Sequence, residues 1–255
     1  MSVGLLINLE AVDKAGKSTQ AARIVRLLRE AGVSAASKSF PSRPAKGQEP
    51  LPEHFATGVL INRYLDEQIV LIEGRDTLFR RESLAGLEDA EKVAIAGIIE
   101  EKLFQVIMSI NRREGIEGPG GLLELLAQND VVVVERALSA QAYGVVKGSS
   151  PVMIAALEGD LPKPDLSFLL EIDPAIAKLR RSEETPDRYE ADPNNQRMVR
   201  DRYNEMVRED LRDAERERRE PRFVRIDASK SIEEISDQII ALILKRLRRP
   251  GAGAG

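Results

Sequence analysis

The residues with the clearest chemical pattern lie between positions 11 and 18, in the run AVDKAGKS. This run matches the phosphate-binding pattern G-x-x-x-x-G-K-[ST], except that Ala11 occupies the first glycine position. Gly16 permits a tight turn that directs successive backbone N–H groups and the start of the next helix at one anion. Lys17 would reach the β- and γ-phosphates, and the Ser18 hydroxyl would bind Mg²⁺. The pattern predicts a nucleoside triphosphate site; the alternative is a glycine turn that includes a lysine by chance.

A second pair of chemically useful residues, Glu135 and Arg136, follows the apolar run Val131–Val134. Parallel sheets bind ligands at the carboxyl ends of their strands. A carboxylate there can hold Mg²⁺, directly or through water, and a guanidinium can grip a phosphate with two hydrogen bonds. The alternative is an ion pair that caps the strand. Phosphoryl transfer needs further cations, and the candidates are Arg43 and the three arginines that flank a possible lid, Arg180, Arg181 and Arg188.

The composition excludes several other chemistries. The 255-residue chain has no cysteine, so disulfides and Cys-ligated zinc are excluded, and the single histidine, His54, cannot form a multi-histidine metal site. The formal net charge of −4 provides no global basic excess for nucleic acid. No segment has the form of a signal peptide or the length of a membrane span, so we expect a cytoplasmic protein without nucleic-acid or membrane partners.

These residues must be positioned by a framework of alternating strands and helices. Five runs are predicted to be strands: Val3–Leu9, Val33–Phe40, Val131–Arg136, Leu166–Ile172 and Phe223–Asp227. Strands that alternate with helices form a parallel sheet covered on both faces. We therefore predict an α/β fold with a five-stranded parallel sheet, in a single domain that spans residues 1–249.

Predicted helices connect these strands. One follows Ser18 and ends near Gly32, and Ser231 with Glu234 forms a capping box that starts the last one. The other helical patterns cover Phe55–Ile72, Ala94–Arg113, Leu122–Ala127, residues 175–181 and Arg197–Arg219. Residues 73–93 are charged and show no strong strand signal, the run GIEGPGG at 115–121 is expected to end a helix, and residues 250–255 are expected to be disordered.

A series of ordered motifs resembles the thymidylate kinase family. LEAVDKAGKSTQ at residues 9–20 is similar to the family's EGxDxxGKSTQ, KSFPSR at 38–43 to its FPxR loop, and SINRRE at 109–114 to its S-x-N-R-x-E segment. The series continues with VVVVERALSAQAY, LPKPDLSFLLEID, DRYE and VRIDASKSIEEI. The resemblance covers nearly the whole chain except residues 66–101, which look inserted. It implies a P-loop NTPase fold with a lid at about 180–195 and a helical insertion.

The resemblance also implies an activity and a set of roles. The chain would be a homodimeric kinase that uses Mg²⁺ and transfers the ATP γ-phosphoryl group to a pyrimidine deoxynucleoside monophosphate, foremost dTMP. The implied catalytic residues are Lys14, Lys17, Glu135, Arg136 and Arg181, with Ser18 and Glu135 holding the metal. The implied ATP-binding residues are Ala15, Gly16, Lys17, Ser18, Thr19, Arg188, Asp227, Ala228 and Lys230. The implied acceptor-binding residues are Asp13, Phe40, Arg43, Met108, Arg112, Arg136, Ser139, Gln141 and Tyr143.

Several positions depart from the family's pattern. Glu135 replaces the usual Asp, and Lys14 replaces a catalytic Arg. Met108 stands where the family has a Phe that stacks on thymine, and Ala140 stands where a polar contact to the base is common. A different or 5-substituted deoxynucleotide is therefore an alternative acceptor. From another class, the alternative is a nucleotide-dependent switch or a non-catalytic relative, and the insertion could be an oligomerisation or partner surface.

Overall fold

Five strands form one parallel sheet in the computed structural model, which describes residues 4–12, 15–43, 56–65, 69–71, 78–80, 89–172 and 192–248. In chain order, the strands are β1 (Leu5–Glu10), β2 (Ala35–Ser39), β3 (Ile69–Leu71), β4 (Leu78–Arg80), β5 (Val131–Glu135), β6 (Leu166–Glu171) and β7 (Phe223–Asp227). The main sheet has the order β2–β5–β1–β6–β7, and all its neighbouring strands are parallel. The predicted five-stranded parallel sheet is confirmed.

The register of this sheet brings the chemically useful residues to one edge. Glu135 at the end of β5 is aligned with Leu9 of β1 and with Ser39 of β2, and Glu171 of β6 is aligned with Asp227 of β7. The loops that follow β1, β2, β5 and β7 therefore leave the sheet on the same side. Ligands of open parallel sheets bind at this carboxyl edge.

Seven α-helices lie in the described part of the chain. They are α1 (Lys17–Glu30), α2 (Ala56–Leu65), α3 (Asp89–Glu117), α4 (Leu122–Gln128), α5 (Pro151–Glu158), α6 (Pro193–Glu217) and α7 (Ile232–Leu247). A π-helical turn, Ala140–Gly144, precedes α5. Ser231 forms the predicted capping box with Glu234 at the start of α7. The helix predicted over 197–219 begins four residues earlier, because Asp192 caps it and Pro193 occupies its first turn.

Alternation of side chains along the strands divides the core between the two faces of the sheet. On one face, Ile7 and Leu9 of β1 pack in a cluster with Ile24 of α1 and Ile239 of α7. On the other, alternate β5 residues pack against α3 and α4, and Leu169 of β6 packs against α6. Both faces are thus covered by helices, as predicted. This arrangement explains why the central strands are continuous apolar runs.

The predicted helix Phe55–Ile72 is wrong in its second half. The helix α2 ends at Leu65, and residues 69–71 form β3, which pairs antiparallel with β4 at residues 78–80. β4 also falls inside residues 73–93, where no strand was expected. Ile69 and Val70 are β-branched, a residue type that packs well in strands, so this short apolar run is ambiguous by pattern alone. The inserted segment thus contains a hairpin as well as the start of α3.

The long helix α3 does not stop before Gly115, as the sequence suggested, but continues to Glu117 and begins at Asp89 instead of Ala94. A Cβ atom at Gly115 would lie 2.6 Å from Ser42 Oγ and 2.9 Å from a ring carbon of Phe40. Gly115 therefore lets α3 pass close to the loop that follows β2. Its small size, and not helix termination, accounts for the glycine.

Several sequence predictions fall outside the described residues. They are the helix at 175–181, most of the lid at 180–195 and the tail at 250–255. Across the ranges that the structure describes, no helix combines the length and apolar character needed to span a membrane.

Candidate functional site

The loop after β1 has the backbone geometry that anion binding requires. Gly16 has a φ of 86° and immediately precedes α1, so the chain turns through a left-handed conformation where the helix N–H groups begin. A Cβ there would meet nothing within 4 Å, so the dihedral angle and not space calls for glycine. Outside glycine, only Arg136 and Arg218 have positive φ among the described residues. Position 11 therefore does not require a glycine, because its φ is not positive, and this explains why Ala11 can replace the first glycine of the pattern.

Lys17 lies against the same loop. Its Nζ donates hydrogen bonds of 3.1 Å to the carbonyl oxygens of Ala11 and Val12, and the residue is only 5% exposed. The ammonium group is thus held over the loop whose backbone would cradle phosphates. Ala15 is buried beside it, while Thr19, in the first turn of α1, is exposed.

Ser18 and Glu135 meet at the carboxyl edge. The Ser18 hydroxyl donates a 2.7 Å hydrogen bond to Glu135 Oε2, although the two residues are 117 positions apart in the chain. A hydroxyl beside a carboxylate fits Mg²⁺, which prefers oxygen ligands and keeps several ligand positions for water and phosphate oxygens. Within the described ranges no group of three acidic, His or Cys side chains forms a metal cage. Any Mg²⁺ would thus depend on the nucleotide and water for its other ligands.

Arg136 turns the chain immediately after Glu135. Its φ is 61°, its amide donates to Leu9 O at 3.2 Å, and its carbonyl oxygen accepts a 3.0 Å hydrogen bond from the Ser139 hydroxyl. Non-glycine residues adopt this left-handed conformation rarely, and they keep it only where the surroundings hold it. From this turn, Arg136 lines a cavity.

That cavity, which we call the Arg43–Arg136 cavity, has a volume of about 80 Å³. Five of the predicted acceptor-binding residues line it: Arg43, Met108, Arg136, Ser139 and Tyr143. Ala140, which was expected beside the base, also lines it, and the structure adds Pro41, Leu65, Phe104 and Gln105 to its wall. Phe104, which also stacks on Tyr64 with ring centroids 4.2 Å apart, was missed in the sequence. Its spacing of four residues from Met108 on one helix was the available signal.

A network of hydrogen bonds fixes the loop that carries Arg43. Asn111 of α3 accepts from Ser42 N at 2.7 Å and donates to Ser42 O and to Thr57 Oγ1 at 3.0 and 2.9 Å. Arg43 itself donates to Asn62 Oδ1 at 2.8 Å. The buried Asn111 therefore ties the loop after β2 to both α3 and α2.

Three predicted acceptor residues lie elsewhere. Phe40, Arg112 and Gln141 line a neighbouring cavity of about 260 Å³, which we call the Arg112 cavity. Phe40 is buried, and the backbone carbonyl of Gln141 accepts a hydrogen bond from Arg202. The roles of these three residues at the acceptor stay predictions.

A buried carboxylate that the sequence analysis missed stands just before the phosphate-binding loop. Glu10 accepts hydrogen bonds from Tyr203 Oη at 2.6 Å, from Leu138 N at 2.7 Å and from Asn8 Nδ2 at 3.2 Å. The ring of Tyr203 packs edge-on against Tyr143, with centroids 6.5 Å apart. Burial and the neighbouring Glu10 carboxylate raise the pKa of Tyr203 well above its ordinary value.

The loop after β7, predicted to border the donor base, is a compact turn. Asp227 Oδ1 accepts from Ser229 N at 2.9 Å and from Ser229 Oγ at 2.6 Å, and these hydrogen bonds lower the pKa of Asp227. Ala228 is buried and donates to Glu171 O, whereas Asp227 and Lys230 are exposed. The remaining predicted site residues, Asp13, Lys14, Arg181 and Arg188, fall outside the described residues.

Comparison with known proteins agrees with this geometry. The sequence model of the family described as "Thymidylate kinase" matches residues 61–239. A thymidylate kinase of Danio rerio is 29% identical over 238 residues, which cover 92% of this chain and 88% of the relative. The Homo sapiens thymidylate kinase is 27% identical over 94% of this chain and 89% of its own length.

The fold has a counterpart among solved structures. A thymidylate kinase structure from Candida albicans superposes with a TM-score of 0.64 at 22% identity, covering 96% of this chain and 93% of the other. At that level of identity the likeness concerns the fold alone. Together with the parallel sheet and the phosphate-binding loop, it confirms the P-loop NTPase fold.

Proposed function

We propose a specific reaction for this chain, which belongs to the thymidylate kinase family. It transfers the γ-phosphoryl group of ATP to the 5′-phosphate of a pyrimidine deoxynucleoside monophosphate, foremost dTMP. The coarser activity follows from membership: the chain is an ATP-dependent phosphotransferase that acts on a nucleoside monophosphate. The pyrimidine base, the Mg²⁺ ion and a cytoplasmic homodimer belong to the proposal.

One observation carries the proposal: the corner Glu135–Arg136 stands between two sites. On one side, Glu135 is hydrogen-bonded to Ser18 of the phosphate-binding loop. On the other, Arg136 lines a cavity together with Arg43. A donor triphosphate in the loop and an acceptor phosphate between the two arginines would then meet at this corner, which suits in-line transfer without a covalent enzyme intermediate.

The chain's own residues would supply binding and charge in this reaction. Lys17 and the backbone N–H groups after Gly16 would neutralise the donor phosphates, while Arg43 and Arg136 hold the acceptor phosphate. Ser18 and Glu135 would hold Mg²⁺, whose charge stabilises the phosphoryl group in transfer. Tyr143, whose ring packs on the buried Tyr203, would contact the sugar and disfavour a 2′-hydroxyl.

A panel of nucleoside monophosphates assayed with Mg·ATP tests the proposal. We expect phosphorylation of dTMP or of a closely related deoxyuridylate, and much weaker use of purine monophosphates. Phosphorylation of purine monophosphates alone would contradict the proposed acceptor class. A complete lack of transfer to any monophosphate would contradict the proposed activity.

Metal dependence provides a separate test. We expect excess chelator to abolish transfer and Glu135→Gln to raise the Mg²⁺ concentration for half-maximal rate about tenfold or more, because a neutral amide is a weaker ligand than a carboxylate. Glu117→Gln, which alters an exposed carboxylate at the end of α3, is the matched control. Full activity in excess chelator would rule out the metal role.

The residues expected around the base differ from those that are usual in the family. Met108 lines the Arg43–Arg136 cavity with a flexible thioether, and Ala140 offers no side-chain hydrogen bond to a base. We therefore expect comparable kcat/KM values for dTMP, dUMP and a 5-hydroxymethyl analogue. One methyl group contributes only about 1–3 kcal/mol to discrimination.

Met108→Phe should raise the preference for dTMP, since a flat ring stacks on the base, while Met198→Phe, at an exposed position of α6, should not. Side-by-side kcat/KM values measure both variants. A preference for dTMP of more than about a thousandfold in the wild-type protein would exceed what one methyl contact supplies and would contradict this account. Broad substrate specificity is described for the Candida albicans thymidylate kinase, whose fold resembles this one, and weak discrimination between bases would be consistent with that description.

A further inference from the structure

Beside the Arg43–Arg136 cavity lies a buried ion pair in which Arg112, a predicted acceptor-binding residue, meets Glu158, which has no part in the proposed reaction. Arg112 of α3 and Glu158, the last residue of α5, form a hydrogen-bonded salt bridge with side chains only 2% and 5% exposed. Ser109 Oγ also donates to Glu158 Oε1 at 3.1 Å. A buried ion pair is weak evidence for stability, because removing two charges from water offsets most of their attraction. This pair therefore invites a functional explanation.

The pair is connected to the Arg136 turn through one hydroxyl. Arg112 donates to Ser139 Oγ at 3.0 Å, and Ser139 Oγ lies 3.0 Å from Arg136 O. A guanidinium has donors and no acceptor, so the Ser139 oxygen must accept from Arg112 and direct its single proton to the Arg136 carbonyl. Arg112 thus donates both to Glu158 and to Ser139, and Ser139 donates in turn to the carbonyl oxygen of Arg136.

This series of hydrogen bonds ends at Arg136, whose backbone conformation is strained. Arg136 has the left-handed φ of 61° that few side-chain-bearing residues adopt, and its carbonyl oxygen is the group that Ser139 holds. The position of the Arg136 guanidinium depends on this turn, because its side chain projects from the same residue into the cavity. Glu158 itself lines the separate Arg112 cavity and does not line the Arg43–Arg136 cavity.

We propose that Glu158 is a positioning residue for the acceptor phosphate. By fixing Arg112, it orients the Ser139 hydroxyl, and the hydroxyl holds Arg136 in the conformation that presents its guanidinium to the acceptor. This inference rests on the proposed function, since it needs a monophosphate in the Arg43–Arg136 cavity. It predicts an effect on one substrate only, because the phosphate-binding loop for the donor takes no part in the chain of hydrogen bonds.

Glu158→Gln is the primary test, because it removes the charge and keeps the shape. We expect the KM for dTMP to rise about tenfold, as is typical when an orienting partner is lost at other sites, with the KM for ATP unchanged within about twofold. Asp160→Asn is the matched control: this exposed carboxylate two residues later also pairs with an arginine, Arg113, but has no link to Ser139. It should leave both KM values unchanged.

A double-mutant cycle with Ser139→Ala separates a relay from a local loss of stability. If Glu158 acts through Ser139, the double variant should lose little more acceptor kcat/KM than the worse single variant. Additive losses would overturn the proposal, as would equal increases in the KM for dTMP and for ATP accompanied by a lower melting temperature. Ser109→Ala is the milder variant should Glu158→Gln not fold, and an unchanged KM for dTMP there would also overturn the proposal.

Different results would contradict the proposed function and the positioning role of Glu158. Wild-type protein that phosphorylates no deoxynucleoside monophosphate would overturn the proposed function and this assignment with it. Active wild-type protein together with a Glu158→Gln variant of unchanged acceptor kinetics would overturn the positioning role alone.

Discussion

Replacement of Lys17 by alanine should reduce turnover by about 10²–10³-fold while the protein stays folded, because loss of one transition-state cation has that effect at comparable sites. The Lys17 ammonium is held by two carbonyl groups of the phosphate-binding loop and is almost entirely buried. It therefore stands where the donor phosphates would lie. Steady-state kcat with saturating ATP and dTMP measures the effect, and circular dichroism with a thermal melt verifies the fold.

Lys245→Ala is the control for Lys17→Ala. Lys245 is an exposed lysine in the last turn of α7, so its loss removes the same charge at a position without a role in the site. A Lys17→Ala protein that keeps more than roughly a tenth of wild-type turnover would contradict the assignment of the loop, since that loss is far below the expected range.

Arg136→Lys should lower kcat/KM for the monophosphate by about 10²-fold even though the charge is kept. A guanidinium grips two phosphate oxygens with parallel hydrogen bonds, and an ammonium group delivers only a point charge. The backbone at this position is held by Leu9 and Ser139, so the substitution changes the side chain and leaves the turn in place. The effect should appear in the acceptor kinetics and spare the KM for ATP.

The same substitution at Arg113 provides the comparison. Arg113 forms exposed ion pairs with Glu117 and Asp160 on the surface of α3, where a lysine serves nearly as well. We expect wild-type kinetics from Arg113→Lys. Unchanged acceptor kinetics in Arg136→Lys would instead show that Arg136 is a structural residue which stabilises the end of β5.

The donor side of the site could be predicted from the sequence because it is local. Gly16, Lys17 and Ser18 are consecutive, and the strand before them and the helix after them are strongly patterned. The partner of Ser18 across the sheet was also predictable, because a parallel sheet brings the carboxyl ends of its strands to one edge. The observed bond between Ser18 and Glu135 follows from these two facts.

The acceptor side could be predicted only in part, because long-range packing decides it. No spacing in the sequence indicates that Glu158 meets Arg112, or that Tyr203 meets Glu10, since these pairs join elements that are distant in the chain. The left-handed turn at Arg136 could not be predicted from the sequence either, because arginine has no preference for this conformation. Phe104 was also missed, although its spacing of four residues from Met108 on one helix would have allowed its prediction.

The close approach at Gly115 has a consequence for how substrate range could evolve in this protein. Gly115 is seven residues after Met108, two turns along α3, and it contacts the residues that flank Pro41 in the cavity wall. A missing side chain at this position therefore sets the distance between the helix that carries Met108 and the loop that carries Arg43. Even the methyl group of an alanine at position 115 would push the helix and the loop apart. Substitutions at this position could therefore change the width of the Arg43–Arg136 cavity, although Gly115 does not line it.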